Sequence, residues 1–393
     1  MPEALSPSRS ERVPSPRAAR IAVGALFFIC GFAFATWVSR IPVVQQALGL
    51  TPATLGAALM GLGAGSFLSM PVAGWLITRM GSRRVVLVAT LAGSALLILP
   101  AWAWNAVTLG AALTLFGAAM GAMDVAMNAQ GVELEHRVGR PILSGFHALF
   151  SFGGMSGAAI GGVLAAAGLS VAVHFGIIAA LLGVIAVAIL PSLVETPPPP
   201  PGEPGSRLRV SPAMVGLSVL AACFFICEGA MADWTPVYLS SVLGSGPGVA
   251  AAGYAVFSAA MTIGRLSGDW LTVRVGRTRI VRIGALLAAA GLSAALLIGT
   301  VPAALIGFVC AGAGFSVAVP LVFSAAGRLD SRSAGPGLAA VTTAGYLGFL
   351  AGPPLIGFIA EAFTLPLALA LIVLFALVGA ALAGHVSVAD SSS

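Results

Sequence analysis

The sequence predicts an all-α polytopic membrane protein, with twelve transmembrane helices arranged as two parallel-repeat six-helix bundles. Three observations carry that expectation. Hydrophobic residues make up 59% of the chain and charged residues only 8%, against about 25% charged in a typical soluble domain. Charge-free runs and turn signals divide the chain into twelve spans. Short patterns in the first half return in the second at a nearly constant offset. Too little polar surface remains to face water in a soluble fold. A soluble enzyme, a nucleic-acid-binding module and a disordered scaffold are therefore excluded.

A bilayer core takes about 20 apolar residues per helix. The first span is expected over 21–38 and the second over 54–77. The charge-free stretch 85–123 is too long for one helix and breaks at Pro100-Ala-Trp-Ala-Trp-Asn105, a turn with interfacial Trp. This gives spans three and four, the latter ending near Ala129. The stretch 141–194 breaks near Gly168-Leu-Ser170 into spans five and six. Span seven is expected over 212–243 and span eight over 248–272. The stretch 283–327 breaks at Thr300-Val-Pro302 into nine and ten, followed by 334–360 and 366–383. Arg17 and Arg20 precede the first run, and Ala33-Phe-Ala35 within it resembles the cleavage site of a secretory signal; eleven further spans favour an uncleaved signal-anchor.

The arginines test this count independently. The chain has no Lys, and seventeen of its nineteen Arg fall in the termini or the even-numbered connections, all on one side of a twelve-span topology. Arg40 lies near the other side and Arg265 inside a span. The positive-inside rule then places both termini in the cytoplasm of a multi-pass bacterial inner-membrane protein. Cys30, Cys223, Cys227 and Cys310 lie in apolar runs and read as small apolar residues, not as disulfides or metal ligands.

Residues 196–211 form a Pro-rich linker near the midpoint. The expected organisation is a disordered tail over 1–17, a six-helix bundle over 18–195, the linker, a second bundle over 212–386 and a tail over 387–393. Phe27-Phe28-Ile29-Cys30 recurs as Phe224-Phe225-Ile226-Cys227, each followed seven residues later by Trp (Trp37, Trp234). Trp75-Leu76-x-x-Arg79-x-Gly81 recurs as Trp270-Leu271-x-x-Arg274-x-Gly276, and Gly153, Gly157 and Gly162 align with Gly348, Gly352 and Gly357. Three matches in corresponding spans indicate a parallel repeat.

The loop after span two, Gly74-x-x-x-Thr78-Arg79-x-Gly81-Ser82-Arg83-Arg84, resembles the signature of the Major Facilitator Superfamily, which usually has Asp where Thr78 stands. The resemblance covers essentially the whole chain. It implies alternating access by rocking of two halves around a cavity lined by spans one, four, seven and ten. Gly121-Ala-Met-Asp124-Val-Ala-Met-Asn128 is similar to the fucose-permease branch. Trp37-Val-Ser-Arg40-Ile-Pro42, Ser144-Gly-Phe-His147 and Glu228-x-x-x-x-Asp233-Trp234 are similar to the MosC-like, rhizopine-transport relatives. Fucose permeases carry an acid late in span one, where this chain has Trp37-Val38, which points away from fucose itself.

The candidate site residues are few. Asp124 lies nine residues before Glu133, roughly 14 Å along the helix from its cytoplasmic end. A neutral acid passes an apolar barrier more readily than its anion, which is the physics of a proton-coupling site. Asn128, at i+4, could hold a substrate hydroxyl or Asp124 itself; the plainer reading is an interhelical hydrogen bond. Glu228 lies well inside span seven and Asp233 nearer its outer mouth, solvated or paired with Arg40. His147 could relay protons with Asp124 or donate to a substrate oxygen, or simply pack. His174 reads as interfacial. Arg265 and Asp269 read as an intrahelical ion pair or a cytoplasmic gate, beside the loop signature Gly74, Arg79, Gly81 and Arg83. Trp37 and Trp234 could stack on a sugar or anchor the interface.

These residues point to a secondary transporter, not an enzyme, moving a small polar solute (a sugar, polyol or amino-sugar derivative) by proton-coupled symport. No cofactor is expected beyond the proton gradient, since Walker motifs and metal-ligand spacings are absent. The expected partners are the solute, protons and membrane lipids, with no nucleic acid, and the chain is expected to be a monomer. The alternative is a proton antiporter exporting drugs or hydrophobic or cationic metabolites across a cavity with Met120, Met123 and Met127. Gly153-x-x-x-Gly157-Ala-x-Ile-Gly161-Gly162 resembles the drug-antiporter signature with Ala158 in place of Pro.

Overall fold

The computed structural model describes residues 15–139, 142–195, 211–328 and 335–390. Residues 1–14 of the expected tail, 196–210 of the expected linker and 391–393 lie outside them. Twelve helices are long and apolar enough to cross a membrane. They are α1 (Pro16–Leu48), α2 (Pro52–Met80), α3 (Ser82–Trp102), α4 (Ala106–Val138), α5 (Leu143–Ala166) and α6 (Val171–Ser192). The second set is α7 (Pro212–Val242), α8 (Pro247–Val275), α9 (Arg277–Ile298), α10 (Val301–Ala326), α11 (Gly337–Ala362) and α12 (Leu365–Ser387). No strand occurs among the described residues.

The local chemistry that sets these boundaries is ordinary helix capping. Thr51, Asn105, Ser170, Ser211 and Thr364 each cap a helix N-terminus with a side-chain oxygen. Asn105 and Thr108 form a reciprocal capping box after the turn containing Trp102 and Trp104, both exposed. Gly168 takes a positive φ at the α5–α6 turn. Several helices outrun the apolar stretches that predict them. α4 has 33 residues, about 50 Å at 1.5 Å per residue, whereas the hydrocarbon core is about 30 Å thick. Its polar last turns stand beyond the bilayer core, so a charge ends the apolar run without ending the helix.

Several of the spanning helices are irregular, α1, α7 and α10 among them. α1 turns at Ser39–Arg40 and resumes as Ile41–Leu48. α7 carries Pro236 and then a π-helical turn over Tyr238–Val242, where a proline removes a backbone donor and loosens the ladder. α10 breaks at Ser316–Val317.

The packing has a repeat. In the first half α1 packs on α5, α2 on α4 and α3 on α4; in the second, α7 packs on α11, α8 on α10 and α9 on α10. The halves meet through two crossed pairs, α5 with α8 and α2 with α11. Close approach is set by small residues. A methyl group at Gly153 of α5 would collide with the Phe28 carbonyl oxygen of α1. At the face away from the arginine-bearing ends, Gly56 of α2 sits against Pro353, Pro354 and Gly357 of α11, and Gly162 of α5 against Gly248 of α8. Toward the arginine-rich face the same helices leave room, and nothing lies within 4 Å of where a side chain at Gly74 or Gly145 would begin.

Candidate functional site: a cavity between the two bundles

A cavity of about 220 Å³ lies at the meeting of the halves. α4 brings Asp124 to it, α7 brings Glu228, α8 brings Arg265 and α11 brings Tyr346. Its walls are otherwise apolar and strongly aromatic, with Phe34, Phe150, Phe225 and Tyr254 among the rings. Polar groups in such a wall are restricted to a few convergent positions, as in ligand sites generally.

Asp124 is fully engaged. Its Oδ2 accepts from the Tyr346 hydroxyl at 2.8 Å, a bond that crosses from one bundle to the other. Its Oδ1 accepts from Asn128 Nδ2 at 3.2 Å, and that amide also donates to the Asp124 carbonyl oxygen at 2.9 Å. Asn128 therefore orients Asp124 and does not itself line the cavity.

Glu228 and Arg265 form the second constellation. Glu228 Oε2 lies 3.6 Å from Arg265 Nη2. Arg265 Nη1 donates to Ser151 Oγ at 2.6 Å and to the His147 carbonyl oxygen at 3.4 Å, both on α5 of the other bundle. Glu228 Oε1 and Arg265 Nε are buried and have no hydrogen-bond partner. The expected intrahelical pair of Arg265 with Asp269 is thus replaced by an interhelical one. Asp269 is exposed and lines a second cavity, of about 360 Å³, with His147, Ser144 and Arg265. Arg265 belongs to the walls of both.

Other expectations change. His147 lies in the second cavity, its ring edge-on to Phe27 at 5.2 Å, with no bond to Asp124. Asp233 is buried at 6% exposure and is not paired with Arg40. Arg40 instead donates from Nε to His174 Nδ1 at 3.0 Å, and His174 is fully buried, not interfacial. Trp37 and Trp234 are fully buried, and neither lines the central cavity; Trp37 packs edge-on to Phe175. Both rings belong to the buried core. Of the three methionines of α4, only Met120 reaches the cavity; Met123 and Met127 are core.

The loop signature lies at the joint between α2 and α3. Gly81 is at once the last cap of α2 and the first of α3, with φ 81°, and Gly276 does the same between α8 and α9 with φ 87°. Glycine is required there because a Cβ opposes positive φ. Arg79 lies over the Trp75 ring at 5.2 Å and Arg274 over Trp270 at 4.1 Å. Arg83 pairs with Glu195 and donates to the Leu190 carbonyl oxygen. Gly74 makes no close contact in this arrangement.

Tyr346 and Ser151 were missed by sequence reasoning. The chain has only three tyrosines, and two of them line this cavity, so an intramembrane Tyr was a signal. Ser151 and Tyr346 also stand at the 195-residue offset of the glycine repeat. Both reach into the opposite bundle from equivalent places. The four cysteines are free, and no cluster of three or more metal-ligating side chains occurs among the described residues.

Residues 22–335 match the profile of the Major Facilitator Superfamily. The chain is 39% identical to an uncharacterised MFS-type transporter of Yersinia pestis over 393 residues, covering 98% of each. It is 34% identical to the membrane protein MosC of Rhizobium meliloti, covering 92% of this chain and 88% of that one. Among solved structures, a bacterial homologue of the human lysosomal transporter Spinster in an inward-facing, occupied conformation superposes with a TM-score of 0.74 at 16% identity, covering 98% of both chains. The fucose:proton symporter of E. coli superposes with a TM-score of 0.64 at 20% identity, covering 93% of this chain and 98% of that one.

Proposed function

The chain belongs to the Major Facilitator Superfamily and is a membrane transporter, not an enzyme; from that premise we propose that it moves a small polar solute by proton-coupled alternating access. The single observation that carries this reading is the charge layout of the central cavity. Two carboxyls and one guanidinium face an apolar, aromatic space where the bundles meet, and each constellation includes a bond that crosses between bundles. Ionisable groups are expensive at such depth and mark ion or substrate pathways. Asp124 and Glu228 are the acids that would carry protons or meet the solute. Aromatic faces beside hydroxyl-accepting groups suit a sugar, polyol or amino-sugar derivative.

Rocking of the bundles about the crossed pairs α5–α8 and α2–α11 would expose the cavity to each face in turn. The arginine distribution supports both termini in the cytoplasm and an inner-membrane location. The 196–211 segment would join two six-helix units in a monomer.

A second reading, proton-coupled export of hydrophobic cations, is favoured by one observation: Met70, Met120 and Met261 line the cavity with its rings, a soft surface that accepts varied shapes. One experiment separates the two. The purified protein in liposomes is tested for solute-dependent proton movement with sugars, polyols, amino sugars and cationic dyes, beside Asp124→Asn and Glu228→Gln. Polar solute and proton moving together, with a variant that uncouples them, supports symport. Dye moving against protons supports export. Wild-type coupling retained by both variants overturns the assignment of the two acids.

A further inference from the structure

Arg265 stands in the wall between the central and second cavities, and its bonding there is incomplete. Its Nη2 is 3.6 Å from Glu228, too long for a hydrogen bond. Its Nε and the Glu228 Oε1 are buried and unpartnered. A buried pair with open valences on both partners is poorly satisfied. One helical turn along α8 stands Asp269, an exposed carboxylate in the second cavity, with no hydrogen bond or ion pair among the described residues. Side chains at i and i+4 are neighbours, about 5–6 Å apart at Cβ, well within an arginine's reach.

We propose that Arg265 is the positioning residue that ties proton uptake to solute passage: when Glu228 takes up a proton, Arg265 leaves it for Asp269 and withdraws from the wall between the two cavities. The inference rests on the transport reading above. The proton adds to the Glu228 carboxylate and gives the neutral acid. Arg265 keeps its own protons and carries its charge to the Asp269 carboxylate, releasing Ser151 and the His147 carbonyl oxygen. Loss of the proton from Glu228 restores the first pair.

The other titratable groups do not compete for this role. Asp124 on α4 is held by Tyr346 and Asn128. His147 on α5 offers Arg265 only its carbonyl oxygen. Cys30 on α1 and Tyr254 on α8 line the same cavity and make no ion pair among the described residues. Cys227 adjoins Glu228 on α7 and turns its thiol to the Ile372 carbonyl oxygen of α12, and Asp233, five residues on, forms no ion pair with Arg265.

Cys30 lines the central cavity and supplies the probe. Cys223, Cys227 and Cys310 are changed to Ala in the full chain, and N-ethylmaleimide labelling of Cys30 is followed in proteoliposomes at one fixed pH. Glu228→Gln, which imitates the protonated acid, should label at least ~5-fold faster than its parent, the lower end of coupling between sites. Adding Asp269→Asn should return the rate to that of the parent, because Arg265 then has no second partner. Arg265→Lys, which keeps the charge, should follow the parent. A Glu228→Gln rate equal to the parent, or one that Asp269→Asn leaves unchanged, overturns the proposal. Labelling needs no solute, so a failure of the transport reading shows separately in the proton-movement assay.

Discussion

Tyr346 touches Asp124 with its hydroxyl and Phe225 with its ring, the centroids 5.4 Å apart. Tyr346→Phe keeps the ring and removes the bond. A net hydrogen bond is worth about 0.5–1.5 kcal/mol, so the apparent KM for the transported solute should rise by up to ~10-fold, while the melting temperature moves little. An unchanged KM in liposome uptake would remove Tyr346 from the site. Arg40 poses the opposite case, a buried cation whose one side-chain partner among the described residues is His174, with Nη2 left open. His174→Leu should destabilise the protein by about 1–3 kcal/mol by leaving the Arg40 Nε without its acceptor, whereas Arg40→Met with His174→Leu should recover most of it. Thermal unfolding in detergent reads both, and equal melting of the single and double variants would sink the argument. At this scale the sequence was a partial guide. Asp124 and Glu228 were legible because acids are rare in apolar spans. The local partner of Asp124, Asn128 at i+4, was legible too; the bonds of Asp124 to Tyr346 and of Arg265 to Ser151 were not, because each is made only by helices far apart in sequence.

Helix contacts here are made backbone to backbone where glycines allow it. Gly153→Ala should cost about 1–3 kcal/mol by forcing α5 away from α1. Gly176→Ala, in α6 with nothing within 4 Å, should be neutral or stabilising by up to ~1 kcal/mol from helix propensity alone. Melting temperatures of the pair decide it, and equal effects would show that packing does not govern either site. The elements were the most readable part of the chain. The breaks at Gly168-Leu-Ser170 and Thr300-Val-Pro302 fall where the structure turns, because caps and prolines act locally. The fate of Trp37 and Trp234 was not readable, since helices apolar all round give no periodicity to say which face meets lipid, core or cavity.

At the scale of the molecule, the halves are locked at the face opposite the arginines by α2 against α11 and α5 against α8. Gly357 lies where a methyl would meet the Pro52 carbonyl oxygen at 2.5 Å and the Gly56 Cα at 3.1 Å. Gly357→Val should prise this closure apart and shift the population toward access from that face. Labelling of Cys30 by a membrane-impermeant maleimide added there should then rise by at least ~5-fold; an unchanged rate would mean that the contact does not set the closed state. The two-bundle plan was legible from the repeat, because a duplicated unit leaves its pattern in the chain, but which ends touch is a property of one conformation. The joints at Gly81 and Gly276 add something to that picture. Each is a single residue long, held at positive φ, with an arginine two residues back lying over a tryptophan ring. A connection that short has no slack in length. However the helices turn, the last turn of α2 stays tied to the first turn of α3, and that of α8 to α9, while the glycine between them leaves the angle free to change.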